Sequence, residues 1–143
     1  MRYAIDASVA IKWLLPEADS SSALAVLDAA QASRILLVAP ALIGLEFGHV
    51  LGKELRRGRC DAATAQRLWS AFRSLPITLA SDRLLHDRAF LLSVARRITI
   101  YDALYVAVAE LEGIPLITAD VGLLGAFDGS GSRIIHMDAV SLE

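Results

Sequence analysis

The chain has one cysteine, Cys60, so no internal disulfide can form, and nothing in it resembles CxxC or a Cys/His zinc pattern. That usage suits a reducing cytoplasm. Lysine is scarce, with only Lys12 and Lys53, and the formal net charge of -2 excludes a generally basic nucleic-acid coat while leaving room for a local basic groove. No apolar run reads as a membrane span: the richest stretch, ILLVAPALIGLEFGHVL, is broken by Pro40 and carries Glu46 and His49. Met1 leads straight into strand-like residues with no charged leader and apolar stretch, so no secretory signal is expected and the protein reads as soluble. There is no P-loop, no internal repeat and no linker. The one Gly/Ser cluster, Asp128 to Ser132, is short enough to be a loop.

What the chain does have is apolar mass in a regular order. With 143 residues, 55% of them hydrophobic, it can bury its own core, and it reads as one domain spanning 1–143. Short apolar runs occur at Tyr3 to Ile5, Ile35 to Val38, Leu116 to Thr118 and Ile134 to Met137, with a weaker one at Ile77 to Leu79. Strands apolar on both faces belong in a covered parallel sheet. Between them the helical period predicts helices near 7–14, 20–32, 41–57, 62–75, 82–97 and 102–112, with a short one near 121–126. Pro40 suits a first helical turn, Asp61 and Ser81 suit caps, and Gly113 followed by Pro115 ends the last long helix. The pattern is that of an α/β three-layer α/β/α sandwich with a central parallel sheet.

Four acids stand against apolar sequence. Asp6 ends the strand RYAID, Asp120 ends PLITAD, Glu46 lies in mid-helix among Leu42, Ile43 and Val50, and Asp102 opens YDALYVAVAELEG. Ionised carboxylates in such places need a counter-charge, and no Lys or Arg has the spacing to neutralise all four. A divalent cation with a preference for oxygen, Mg2+ or Mn2+, is the simplest candidate. Each acid also has a plainer explanation. Asp6 and Asp120 precede helices and could be N-caps, Asp102 could close a Thr99-x-x-Asp102 capping arrangement, and Glu46 could reach solvent from a boundary position. In a parallel α/β fold, ligands bind at the carboxyl ends of the strands where strand order reverses. Acids converging there could hold one or two Mg2+ ions for phosphoryl transfer to water.

Other features bear on how the site is built and what it excludes. Gly44, Gly48 and Gly52 form a stripe on the Glu46 helix that a small-residue stripe at Ala103 and Ala107 could meet, bringing Glu46 and Asp102 together. Arg56, Arg57 and Arg59 cluster at one helix end and Arg96 and Arg97 at another. They could follow an RNA backbone, or simply favour helix carboxyl ends. Lys12 is a further possible phosphate contact, while Trp13 and Trp69 read as packing residues. A response-regulator receiver would need a late Lys, and a haloacid-dehalogenase phosphatase would need Asp-x-Asp where Asp6 is followed by Ala7 and Ser8.

In order and spacing, DASVAIKWLLPE, APALIGLEFGHVL, YDALYVAVAE and LITAD closely resemble the PIN-domain ribonucleases, specifically the VapC-type toxins of toxin–antitoxin pairs. The resemblance implies endonucleolytic cleavage of RNA, dependence on Mg2+ or Mn2+, a small antitoxin partner and a homodimer. Asp6, Glu46 and Asp102 match the three core acids and Asp120 the fourth. Ser8 and Thr118 match hydroxyl positions that orient a carboxylate or a water. His49 stands where the family often has Asn; it could touch a phosphate or move a proton, or only hydrogen-bond a neighbour. The alternative is a PIN-fold protein-binding module that has lost activity.

Overall fold

The computed structural model describes residues 1–15, 17 and 19–142. Pro16, part of the opening segment quoted above, lies outside the described residues. Five short strands, β1 (Arg2–Ile5), β2 (Leu36–Pro40), β3 (Ile77–Ala80), β4 (Leu116–Thr118) and β5 (Ile134–His136), form one parallel sheet in the order β3-β2-β1-β4-β5. The helices are α1 (Ala7–Leu14), α2 (Ser20–Gln31), α3 (Leu42–Arg56), α4 (Ala62–Arg73), α5 (Arg83–Arg96), α6 (Ile100–Glu112) and α7 (Val121–Ala126). With the sheet between helical layers, this is a three-layer α/β/α sandwich.

The central strands are apolar on both faces because helices cover both. Ile5, Leu37, Leu116 and Ile117 are buried almost completely, and Val9, Val26, Phe47, Val106 and Val108 supply the helical side of the core. Burying a side chain of this size stabilises the fold by roughly 1.5–3 kcal/mol. Helix ends follow local chemistry. Asp61 caps α4 by accepting from Thr64 N–H, and Gly113 ends α6 at φ 66, where a Cβ would be strained. Two expectations shift: Asp82, not Ser81, caps α5, and Pro40 is the last residue of β2, paired with Ala80, instead of part of a first helical turn.

Strand order reverses between β1 and β4. Successive connections run to one side from β1 through β2 to β3, and to the other from β4 to β5. Asp6 follows β1 and Asp120 follows β4. The two strand-end acids therefore flank the crevice where such folds bind ligands.

The glycine stripe packs differently from expectation. A Cβ at Gly48 would stand 3.1 Å from Trp69 Cζ3, and one at Gly44 would stand 3.8 Å from Phe72 Cε1. The stripe thus receives the aromatic face of α4, where Phe72 also stacks on Phe47 with ring centres 4.4 Å apart. It does not seat Ala103 and Ala107 of α6. The two wide rings of α4 need room on α3, and glycine provides it.

Candidate active site

Asp6 occupies the N-cap position of α1 but makes no capping bond. Its Oδ2 instead accepts from Ser8 Oγ and from Thr118 Oγ1, both at 2.7 Å. Backbone amides hold the two hydroxyls in turn: Ala119 N–H donates to Ser8 Oγ and Asp120 N–H to Thr118 Oγ1, each at 3.0 Å. A hydroxyl has one hydrogen. Both are spent on Asp6, so the 3.4 Å separation of the Ser8 and Thr118 oxygens is a contact between acceptors. Every buried side-chain polar atom among the described residues has a partner, and Asp6 Oδ1 accepts no hydrogen bond from those residues. Although Asp6 is only 7% exposed, Oδ1 is therefore the oxygen that solvent reaches.

Glu46 projects from α3 and is half-buried. Its Oε2 accepts a 2.5 Å hydrogen bond from Tyr105 Oη, leaving Oε1 without a donor among the described residues. Asp102 lies in the first turn of α6, where Thr99 caps the helix by accepting from Asp102 N–H at 3.1 Å. The Asp102 carboxylate makes no reciprocal bond to Thr99, so the cap uses its amide and spares its charge. Asp120 does serve as a cap: Oδ1 accepts from Gly122 N–H at 2.8 Å and Leu123 N–H at 3.1 Å. Its Oδ2 has no such partner.

All four acids line one cleft of about 700 Å³, together with Ser8, Leu42, Leu45, His49 and Tyr101. Burial pushes the Asp6 pKa above the ordinary aspartate value; the Thr118 and Ser8 hydrogen bonds oppose this, and repulsion from Asp102 and Asp120 adds to it. Burial likewise raises Glu46, opposed by Tyr105 and reinforced by Asp6 and Asp102. Among the described residues neither carboxylate lies within ion-pair distance of a cationic side chain. Burial first, and then the Glu46 hydrogen bond and charge, raise the Tyr105 phenol above its ordinary value, which favours the protonated, donating form.

The donor set suits a hard divalent cation: oxygen atoms only, mutually repelling, and in no salt bridge among the described residues. Among the described residues, no three His, Cys, Asp or Glu side chains stand close enough together to enclose an ion. That spacing is compatible with Mg2+, which keeps several waters and takes one or two carboxylates directly.

Of the cationic candidates, only His49 lines the cleft, from an exposed position. Lys12 is buried and held by Glu17 at 2.8 Å and Asp19 at 2.7 Å, so its ammonium is not open to a phosphate. Arg56 and Arg57 are exposed where α3 ends, Arg96 lies over the Phe127 ring at 5.3 Å, and Arg97 takes the left-handed position that ends α5. None of these arginines borders the cleft. Sequence reasoning missed Tyr105, which stands one turn after Asp102 on the same helix face. Its signal was a phenol on the Ala/Val-rich side of the helix, since a buried Tyr usually needs a partner for its hydroxyl. Also unforeseen is an apolar groove of about 560 Å³ beside the cleft, sharing Leu42, Leu45 and Tyr101 with it.

A parallel sheet whose order reverses beside four converging carboxylates defines an acid-cluster α/β/α domain. The chain belongs to the PIN-domain family, which matches residues 3–125. Ribonuclease VapC3 of Pyrobaculum aerophilum is 34% identical over 131 residues, covering 89% of this chain and 95% of that protein. Exonuclease VapC9 of the same organism is 38% identical over 89 residues, or 59% and 62% of the two chains. A crystallised P. aerophilum protein superposes with TM-score 0.73 at 29% identity, over 96% of this chain and 90% of that one. A toxin–antitoxin complex from Klebsiella pneumoniae shares the fold at TM-score 0.62 and 17% identity, over 94% and 97%.

Proposed function

We propose that this chain, as one domain over 1–143, is a Mg2+- or Mn2+-dependent endoribonuclease that hydrolyses RNA phosphodiester bonds as the toxin of a toxin–antitoxin pair. The observation that carries this reading is the convergence of Asp6, Glu46, Asp102 and Asp120 in one cleft, none of them in a salt bridge among the described residues. Those four residues would hold the cation, one or two directly and the others through its waters. The chemistry such an ion supplies is that of a Lewis acid, making water nucleophilic near neutral pH and offsetting charge on the reacting phosphate. Water forms the new bond to phosphorus, the bond to the leaving sugar oxygen breaks, and that oxygen takes up a proton.

The chain's own part is positioning. Ser8 and Thr118 clamp Asp6 Oδ2 and leave Oδ1 to the cleft. With its one hydrogen committed to Asp6, Ser8 is poorly placed to act as a covalent nucleophile, which favours direct attack by water. His49 is the residue placed to meet a phosphate at the rim, and Arg56, Arg57, Arg96 and Arg97 are exposed for the flanking strand. An inactive binding module would have no need to keep four repelling acids together.

A small antitoxin finds its support in the apolar groove: a segment filling it would lie over Leu45, 72% exposed, and Tyr101, 59% exposed, at the edge of the acids. The exposed Leu84, Phe90, Leu91 and Val94 of α5 give a second copy an apolar face for a homodimer. Among the described residues no helix is long and apolar enough to cross a membrane, and the proposed site of action is the cytoplasm.

Induced alone, the wild type should arrest growth, and sequencing of new RNA ends should show internal cuts. Asp6→Asn should do neither, and co-expression of the cognate antitoxin should restore growth. Equal growth of wild type and Asp6→Asn would count against the toxin reading.

A further inference from the structure

With the glycine stripe of α3 turned to α4, something else must fix Glu46 relative to Asp102. Among the described residues, the side-chain hydrogen bond between α3 and α6 is that of Tyr105 Oη to Glu46 Oε2 at 2.5 Å. Tyr105 is 1% exposed in the core, on a helix packed against β1 and β2, so its ring has little freedom to follow Glu46. The glutamate is the flexible partner, with three side-chain torsions that a ligand must otherwise freeze at an entropic cost. A rigid phenol that grips one oxygen bears part of that cost before a ligand arrives, and it determines which oxygen faces the cleft.

We infer that Tyr105 is a positioning residue for divalent-cation binding, holding Glu46 Oε2 so that Oε1 is presented to the ion beside Asp102. The inference rests on the proposed metal site. Tyr105 lies one helical turn from Asp102, so a single rigid helix carries one acid and aims the other. The relation parallels that of Ser8 and Thr118 to Asp6: in both cases a neutral hydroxyl takes one carboxylate oxygen and leaves its mate. Partners of this kind typically govern metal affinity by about 10–100-fold.

The test is a titration of the full chain with Mn2+, read as the loss of the free-ion electron paramagnetic resonance signal. Wild type, Tyr105→Phe, Glu46→Gln, the double variant and Asp6→Asn are compared. Tyr105→Phe keeps the ring and should weaken Mn2+ binding by about tenfold or more, while adding no further loss in the Glu46→Gln background. Wild-type affinity in Tyr105→Phe, with Asp6→Asn binding poorly, would overturn the inference and leave the metal site standing. An equal further loss in the Glu46→Gln background, or failure of Tyr105→Phe to fold, would show a structural residue and also overturn it. If Asp6→Asn binds Mn2+ like the wild type, both the inference and the site beneath it are wrong.

Discussion

Thr118→Val removes one hydroxyl from the centre of the Asp6 network and leaves the side-chain shape almost unchanged. Thr118 is fully buried, so water cannot take over its role. The variant loses a hydrogen bond to a charged carboxylate, which contributes about 1.5–3 kcal/mol. It also leaves Asp120 N–H without the acceptor it has at 3.0 Å, a cost of about 1 kcal/mol or more where the amide stays dry. Against this, one more buried apolar carbon returns about 0.8 kcal/mol. The net destabilisation is about 2–3 kcal/mol, or a fall in Tm of roughly 6–12 °C for a chain of this size. Ser8→Ala removes the other hydroxyl at a half-buried position where water can substitute, and should cost about 1 kcal/mol. Thermal unfolding at pH 7 in EDTA, followed by circular dichroism, measures both. A Thr118→Val protein that melts with the wild type, or a Ser8→Ala protein that loses more, would refute the assignment of the two hydrogens to Asp6.

Asp6 and Glu46 both have folded-state pKa values above their ordinary 3.8 and 4.5, chiefly through burial. The stability they contribute is therefore full below those ordinary values and is lost as pH rises through the folded ones. In EDTA, Asp6→Asn should melt above the wild type at pH 7, and the gap should close on acidification; a gap that widened would contradict the sign. Gly48→Leu should destabilise by about 1–3 kcal/mol from crowding Trp69, exceeding the helix gain of about 1 kcal/mol, whereas Gly44→Ala should stabilise; chemical denaturation decides. Because Lys12 is held by Glu17 and Asp19, Lys12→Met should lower Tm yet leave the salt dependence of RNA binding unchanged, where a lost phosphate contact would reduce the slope by about 0.7.

The strands and helices were legible because their apolar runs are short, continuous and bounded by turn chemistry. Leu116 to Thr118 and 62–75 came within a few residues of β4 and α4 for that reason. The four acids were legible as charges with no local counter-charge, and the cleft brings all four together. What stayed hidden depends on packing between distant segments. The glycine spacing signalled a close approach, but the direction of the stripe rested on how α4 folds back over α3. The Tyr105 bond spans 59 positions and no period in the sequence links its ends. Lys12 finds Glu17 and Asp19 just past the end of α1, outside the regular one-turn spacing of helical ion pairs. The distinction between an N-cap that caps and one that does not also required coordinates: Asp120 and Asp6 occupy equivalent positions, yet only Asp120 gives its oxygen to the helix.

The central claim is metal-dependent internal cleavage of RNA by the acid cluster, and a covalently closed circular single-stranded RNA tests it directly, since an enzyme that works only from ends cannot begin on it. The purified chain should convert the circle to linear fragments in Mg2+ or Mn2+, with no product in EDTA and none from Asp6→Asn. An intact circle beside degraded linear RNA would make the enzyme an exonuclease, and cleavage that persists in EDTA or in Asp6→Asn would contradict the account.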